Sequence, residues 1–252
     1  MKYGIQLFSL RGELKDEAGY SEVFRRVKEM GAETVQLSGG KPVAPEHIAK
    51  LVEQYDMPVC ITHDKFERIV NDLDGLIKEH ETYGCPRLGV GMMPKEFRTG
   101  KIEDIDRFID ILNKTADRLA EHGMTIAYHN HWFEFDGIDG KIIYDYMIEK
   151  TEKVEFIPDT FWMRVKGRSV EDYLKKLSGR VNTLHLKDYK KALGIPVFRA
   201  IGKGELDFVS ILKAAKETGV QNAVVELDMS PSPYKSMQFS MDRLKEIRKN
   251  VE

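Results

Sequence analysis

The sequence has little of what secreted, membrane-spanning or nucleic-acid-binding proteins need. Its 252 residues include only two cysteines, Cys60 and Cys85, which are too few for a disulfide framework and are typical of a reducing compartment. No apolar stretch approaches the roughly 18 residues of a membrane span, and the one near the N-terminus is too short for a secretory signal. The 39 Lys and Arg and the 41 Asp and Glu give a formal net charge of -2, so no overall positive field attracts nucleic acid. We therefore expect a cytoplasmic protein that has neither a membrane nor a nucleic acid as its partner.

Short apolar runs alternate with amphipathic segments of helical length along the whole chain. The runs that predict eight strands are residues 3–8, 34–37, 57–62, 87–90, 125–128, 154–157, 181–186 and 223–227. The helical pattern is clearest at residues 21–31, 45–56, 102–123, 169–179 and 206–219, and least regular at residues 64–84 and 140–151. No Pro/Gly/Ser-rich linker or charge block divides the chain. The pattern therefore predicts an α/β protein, a single (β/α)8 TIM barrel domain over residues 1–252.

Polar side chains collect where the predicted strands end, on the face that carries the active site of a TIM barrel. In chain order they are Gln6, Arg11, Gln36, His63, His129, His131, Glu134, Asp159, His185, Lys187 and Glu226. Four of them offer the carboxylate and imidazole ligands that suit a divalent cation, and they lie on predicted strands five to eight: Glu134, Asp159, His185 and Glu226. Neighbouring strands are about 4.7–4.9 Å apart, so these side chains can reach one ion. Three carboxylates buried together would otherwise repel one another, and a metal ion relieves that cost.

An ordered set of segments resembles a known superfamily. The segments read GIQLFSLR, YHNHWFEF, PDTFW, RVNTLHLKDY, IGKGELDF and VVELD, and together they span Gly4 to Asp228. LHLKD and GKGELDF are each weak signals alone, but the ordered set resembles the sugar phosphate isomerase/epimerase superfamily, which has a xylose isomerase-like TIM barrel. Relatives in that superfamily include ketose 3-epimerases, inosose-processing enzymes and endonuclease IV.

The resemblance implies one divalent metal ion, with Mn²⁺ foremost and Mg²⁺, Co²⁺ or Zn²⁺ as alternatives, bound by Glu134, Asp159, His185 and Glu226. Glu134 and Glu226 would then be the catalytic residues, on either side of the substrate carbon. A sugar bound through its carbonyl and neighbouring hydroxyl would lose an α proton to one glutamate, giving an enediolate that the metal stabilises. The other glutamate would return a proton, so the resemblance implies an isomerase or epimerase of a sugar or sugar phosphate.

A second group of residues is predicted to contact the substrate: Gln6, His63, His131, Trp162, Lys187 and Arg199. Strand alternation turns His129 and His131 to the same side, and the sequence leaves open which of them faces the pocket. Cations near the strand ends would make the pocket mouth positive and favour an anionic sugar: Arg11, Arg164, Lys166, Lys187 and Arg199.

Simpler structural roles compete with these assignments. Asp159 follows a proline at the start of a helix, where it would serve as an N-cap. His185 stands between two leucines and would be a core histidine with satisfied hydrogen bonds. Asp228 faces the same way as Glu226 and could replace it as a ligand. The histidines of the helical segments stand among charged residues, and we expect solvent exposure for them: His47, His80 and His122.

Other functions remain compatible with such a barrel. An inosose or keto-sugar dehydratase or lyase would use the same base and metal, so the sequence does not separate it from an isomerase. An endonuclease IV-like hydrolase needs a basic DNA-binding face and more histidines than the seven present here. A non-catalytic sugar-binding protein would not need to keep the carboxylates and the imidazole that suit a metal ion. A homodimer is compatible with the exposed helices.

Overall fold

The computed structural model describes residues 1–251 and shows eight parallel strands that follow the prediction closely. We number them β1 to β8: Lys2–Gln6, Thr34–Leu37, Val59–Thr62, Arg87–Val90, Thr125–His129, Glu155–Ile157, Thr183–Leu186 and Asn222–Val225. Hydrogen bonds join them in the orders β3-β2-β1-β8-β7 and β4-β5-β6. Two isolated parallel bridges, Asp64 with Val90 and Asp159 with His185, connect these two sheets at both edges. The TIM barrel fold is therefore confirmed.

The helices pack between successive strands in the alternating order that the pattern predicts. They are α1 to α10: Glu17–Glu29, Pro45–Tyr55, Phe66–Asn71, Leu73–Tyr83, Ile102–Ala120, Ile143–Lys150, Thr160–Val165, Val170–Lys176, Phe208–Glu217 and Pro233–Arg248. Short 3-10 helices lie at Leu7–Leu10, Lys95–Phe97 and Phe133–Phe135. The irregular segment 64–84 forms two helices because Asp72, with φ -146° and ψ 42°, interrupts the helical backbone. Among the described residues no helix is both long enough and apolar enough to cross a membrane.

A β-hairpin follows β7 and rises over the carboxyl end of the barrel. Its strands, Asp188–Ala192 and Ile195–Arg199, pair antiparallel, and we call it the rim hairpin. The buried Asp188 carboxylate accepts the backbone N–H groups of Gly202 and Gly204, both at 2.9 Å, which ties the GKGE loop to the hairpin. Gly204 is required there, since a Cβ at this position would stand 2.1 Å from Asp188 Oδ1. The loop is thus a structural turn before α9 that holds the hairpin in place.

Candidate metal centre and its pocket

Four buried side chains converge at the carboxyl ends of β5 to β8: His129, Asp159, His185 and Glu226. We call them the metal-type cluster, because their ligand atoms all lie within 4.8 Å of one another. His185 Nδ1 is 2.8 Å from Glu226 Oε2, and His129 Nε2 is 3.2 Å from Asp159 Oδ2. Each strand contributes one ligand because parallel neighbours end at the same rim. Three of these four residues are predicted ligands.

Both imidazoles of the cluster are oriented by an oxygen on the outer side of the ring. His129 Nδ1 lies 3.1 Å from the carbonyl oxygen of Gly91, and His185 Nε2 lies 2.7 Å from Gln36 Oε1. With these nitrogens as donors, the other nitrogen of each ring presents a lone pair to the cluster, as metal-ligating histidines do. Burial, reinforced by the neighbouring His185, lowers the pKa of His129 well below its ordinary value, which keeps that ring neutral for metal binding.

The two oxygens of the Asp159 carboxylate face different partners. Its Oδ1 accepts the backbone N–H groups of Phe161 at 2.9 Å and Trp162 at 3.1 Å, so it is the N-cap of α7. Its Oδ2 faces the cluster, and its backbone N–H donates to Asn130 Oδ1 at 3.0 Å. Burial raises the pKa of Asp159, although the ammonium of Lys187 opposes that shift. The N-cap hydrogen bonds therefore hold Oδ1, and Oδ2 is left free to coordinate a metal ion.

The charge balance of the cluster fits a divalent cation. The Lys187 ammonium lies 3.3 Å from Asp159 Oδ2, 3.3 Å from Glu226 Oε2 and 2.8 Å from Asp228 Oδ1. The cluster itself contains two carboxylates, Asp159 and Glu226, and both share the single ammonium of Lys187 with Asp228; buried charges are costly unless they are paired. With His185 Nε2 as the donor to Gln36 Oε1, the lone pair of His185 Nδ1 points at the Glu226 Oε2 oxygen 2.8 Å away. Two facing acceptors and the set of imidazole and carboxylate ligands together fit a divalent metal ion.

The carboxylates around Lys187 titrate differently because their surroundings differ. Burial alone would raise the pKa of Glu226, but Lys187 and His185 hold it well below its ordinary value. Burial raises the pKa of Asp228 to about 7, and the neighbouring Glu226 adds to that shift. Glu226 is thus ionised and available as a ligand or as a base. Asp228 pairs with Lys187 and does not replace Glu226 in the cluster.

The structure places Glu134 outside the metal-type cluster. This residue lies in the 3-10 helix Phe133–Phe135, and its carboxylate accepts the hydroxyl of Tyr128 and, at 2.8 Å, the backbone N–H of His131. It is fully buried, is not one of the four clustered ligands and does not line the pocket described below. Burial raises its pKa to about 7. Glu134 therefore supports the turn after β5, and His129 takes the place in the cluster that was predicted for it.

A cavity of about 580 Å³ opens onto the cluster at the carboxyl end of the barrel. Its wall residues include Phe8, Arg11, His63, Asp64, Met92, His129, His131, Trp132, Trp162, Lys187, Phe198, Glu226 and Asp228. His129 and His131 both face it, which resolves the open question from the sequence. Burial, reinforced by His129, lowers the pKa of His131 to about 2, so this ring is neutral. The chain has only two tryptophans, and both line this cavity.

Two of the predicted substrate contacts lie elsewhere. Gln6 is fully buried, and its Oε1 accepts the backbone N–H of Phe8 at 3.0 Å, so it caps the first 3-10 helix. Arg199 ends the rim hairpin, and its guanidinium donates to the carbonyl of Phe198 at 3.0 Å without lining the cavity. The other four residues of that prediction line the cavity: His63, His131, Trp162 and Lys187.

The cations near the cavity are already engaged. Arg164 pairs with Glu171 at 2.6 Å, and Lys166 pairs with Asp136 at 2.5 Å. Arg11 donates to the carbonyls of Phe8 at 2.8 Å and Asp228 at 3.0 Å. Since Lys187 is surrounded by carboxylates, Arg11 is the cation of the cavity wall whose contacts are to neutral carbonyl groups. These contacts count against the predicted positive mouth, and the preference for an anionic sugar stays a prediction.

We expect inorganic phosphate to leave the tryptophan fluorescence of the protein unchanged, because the Lys187 ammonium is surrounded by carboxylates and the Arg11 guanidinium already donates to two backbone carbonyls. Raising the ionic strength to about 1 M, where the screening length is about 3 Å, should leave KM for a neutral sugar unaltered. Fluorescence titration and steady-state kinetics check these results. Competitive inhibition by phosphate that weakens with salt would restore the anionic-sugar prediction.

The fold and the cluster define a TIM barrel with a candidate metal centre at the carboxyl-terminal rim. Residues 24–249 match the profile of the xylose isomerase-like TIM barrel family. The chain belongs to this family, and the predicted xylose isomerase-like TIM barrel is confirmed.

The chain is similar in sequence or in fold to several proteins that are named as enzymes. It is 29% identical over 164 residues to an inosose dehydratase of Geobacillus thermodenitrificans (strain NG80-2), a match that covers 58% of this chain and 54% of the relative. A sugar phosphate isomerase/epimerase structure from Parabacteroides distasonis ATCC 8503 has a TM-score of 0.80 at 23% identity and covers 97% of this chain and 98% of its own. A structure of L-ribulose 3-epimerase has a TM-score of 0.75 at 14% identity, with 99% and 94% covered. The chain spans about half the length of the inosose dehydratases that it matches.

Proposed function

We propose that this chain is a metal-dependent enzyme that removes the proton next to the carbonyl of a small carbohydrate and returns it, as an isomerase or epimerase does. The observation that carries the proposal is the buried metal-type cluster, in which His185 Nδ1 and Glu226 Oε2 lie only 2.8 Å apart and Glu226 and His129 line the cavity. Perturbed, buried titratable groups in a concave site are typical of catalytic centres. The proposed ion is held by His129, Asp159, His185 and Glu226, with Mn²⁺ the first choice for this mixed ligand set.

The bound ion, Glu226 and Lys187 each have a different role in the proposed reaction. A divalent ion bound there supplies Lewis-acid polarisation of the substrate carbonyl, which acidifies the adjacent C–H. Glu226 is ionised and lines the cavity, so its carboxylate is the group that accepts the α proton. The Lys187 ammonium lies 3.3 Å from Glu226 Oε2, so it can stabilise the negative charge that develops on the substrate when the proton is removed.

Aromatic walls bind and shield the carbohydrate. Trp132 and Trp162 lie with ring centroids 5.1 Å apart, and Phe198 of the rim hairpin stacks on Phe161 at 4.3 Å. The C–H faces of a sugar ring suit such surfaces, and a covered site strengthens the electrostatic interactions inside it. This wall, with its engaged cations, supports a neutral carbohydrate over a phosphorylated one.

Dehydration of an inosose or keto-sugar is the second candidate, and the position of Glu134 favours it. A two-base epimerisation needs a second carboxylate across the substrate carbon, and Glu134 is held by Tyr128 and His131 outside the cavity. A dehydratase needs one base and one acid, and Asp228, which lines the cavity beside Glu226 and has its pKa raised to about 7 by burial, provides that acid. The 29% identity to an inosose dehydratase also supports this candidate.

The experiment that tests the proposal is incubation of the Mn²⁺-loaded protein in D₂O with keto-sugars, aldo-sugars and inososes. We expect deuterium at the carbon next to the carbonyl, observed by NMR and mass spectrometry. An isomer or epimer of unchanged composition indicates the first candidate, and a product that has lost one water indicates the second. Absence of both exchange and product with every sugar that binds, as shown by tryptophan fluorescence, would contradict the proposal.

A further inference from the structure

A second buried polar group adjoins the cavity from β3 and α4, apart from the metal-type cluster. It consists of Thr62, Asp64 and His80. The Thr62 hydroxyl donates to Asp64 Oδ2, and His80 Nε2 lies 3.3 Å from the same oxygen. The other ring nitrogen of His80, Nδ1, lies 2.9 Å from the carbonyl oxygen of Cys85. Both nitrogens of the imidazole therefore face oxygen acceptors, which is the arrangement of a doubly protonated histidine.

His80 is fully buried, which contradicts the predicted exposure to solvent. Burial alone opposes its protonation, but the carboxylate of Asp64 and the carbonyl of Cys85 raise its pKa to about 10. A fixed positive charge behind Asp64 keeps the carboxylate in one orientation. Charge-assisted hydrogen bonds of this kind are roughly twice as strong as neutral ones.

Asp64 is held by its backbone as well as by its side chain. Its N–H donates to the carbonyl of Gly89 at 3.0 Å, and its bridge to Val90 joins β3 to β4. The N-cap of α3 is Lys65, without a side-chain cap bond, so Asp64 does not cap that helix. Its side chain is 18% exposed and forms part of the cavity wall beside His63. Thr62 and His80 both use Oδ2, and no partner within residues 1–251 donates to Oδ1.

We propose that Asp64 Oδ1 accepts a hydrogen bond from one hydroxyl of the bound carbohydrate and that His80 is the positioning residue that aims it. The inference rests on the proposed function only in that a carbohydrate occupies the cavity. A purely structural role, tying β3 to α4, would need neither the exposure of Asp64 to the cavity nor an unused oxygen. A cavity-facing carboxylate oriented from behind is a recognition device for hydroxyl groups, which are hydrogen-bond donors.

The test compares Asp64→Asn with the native protein on hydroxyl-bearing and deoxy sugars. The probes are L-ribulose, D-fructose and an inosose, each with its monodeoxy analogues, and binding is measured by the fluorescence of the two cavity tryptophans. We expect the substitution to weaken binding of one parent sugar by about 10- to 100-fold, since a hydrogen bond to a charged group has that worth. The analogue that lacks the recognised hydroxyl should bind native and Asp64→Asn protein equally. Asp74→Asn, an exposed carboxylate on α4, is the matched control and should change neither.

His80→Gln separates positioning from folding. We expect it to weaken binding of the same parent sugar by a smaller factor than Asp64→Asn does and to leave binding of the deoxy analogue unchanged. On any probe that turns over, KM should change more than kcat. Equal weakening of parent and deoxy sugars by both variants, a lower Tm without selectivity, or failure of all probes to bind would overturn the inference. Selective binding without deuterium exchange would instead leave it standing and contradict the proposed function alone.

Discussion

Glu226→Gln is expected to lower kcat by about 10²- to 10⁴-fold, because the carboxylate that accepts the α proton is lost while the shape of the side chain is kept. Glu226 lines the cavity, and the neighbouring Lys187 and His185 hold its pKa well below its ordinary value, so the carboxylate is ionised. The assay is turnover in D₂O at saturating Mn²⁺, so that weaker metal binding does not limit the rate. Circular dichroism should show an unchanged fold.

Glu217→Gln is the matched control for that experiment, since this glutamate is exposed on α9, away from the cavity. It should turn over at the native rate. Full activity of Glu226→Gln on a proven substrate would remove Glu226 as the base and direct attention to Asp228, its neighbour on Lys187.

His129→Ala is expected to weaken divalent-metal binding by more than about 100-fold. Removing a residue that only hydrogen-bonds to a metal ligand costs up to about 100-fold, and removing the ligand itself should cost more. Glu134→Gln is expected to leave the affinity unchanged, because Glu134 contacts Tyr128 and His131 and not the clustered atoms. Isothermal titration of the two metal-stripped variants with Mn²⁺ measures the difference. The pair separates the ligand set in the structure from the set that the family resemblance implies.

The opposite pattern would reverse this assignment. Retained Mn²⁺ affinity in His129→Ala with loss in Glu134→Gln would mean that Glu134 is the ligand and that the turn after β5 opens on metal binding. Loss in both variants would implicate the turn as a whole, because Glu134 accepts the backbone N–H of His131.

The strands were predictable because their signals are local. Runs such as residues 34–37 and 87–90 coincide with β2 and β4, since β-type residues bounded by turns need no distant information. The convergence of Asp159, His185 and Glu226 follows from the barrel, which brings consecutive strand ends to one rim. The rim hairpin was not predicted, because it forms through Asp188 and glycines that lie 14 and 16 residues later in the chain.

The exchange of His129 for Glu134 was not predictable from residue types. Both residues offer a metal ligand, and the choice depends on the 3-10 helix Phe133–Phe135, which directs the Glu134 carboxylate to Tyr128. Tyr128 precedes His129 on β5, so its side chain points to the opposite face of the strand. Hydrogen bonding to a tyrosine on that outer face draws Glu134 away from the cavity.

The burial of His80 could have been predicted from its spacing in α4, but its charged neighbours suggested exposure instead. It lies four residues after Leu76 and three after Ile77, on the face of α4 that packs against the core. Glu79 and Glu81 beside it suggested solvent exposure, although adjacent residues point to different sides of a helix. The partner, Asp64, lies 16 residues earlier, so only the fold brings the pair together.

Isothermal titration of the metal-stripped native chain with Mn²⁺, followed in parallel by the fluorescence of Trp132 and Trp162, is the most direct test of the central claim. The chain should bind one ion, the fluorescence of both cavity tryptophans should change with the same midpoint, and His185→Ala should abolish the heat and the fluorescence change together. Native protein that takes up no Mn²⁺, Mg²⁺, Co²⁺ or Zn²⁺, or that binds an ion equally well without His185, would contradict the claim that this cluster is a metal centre.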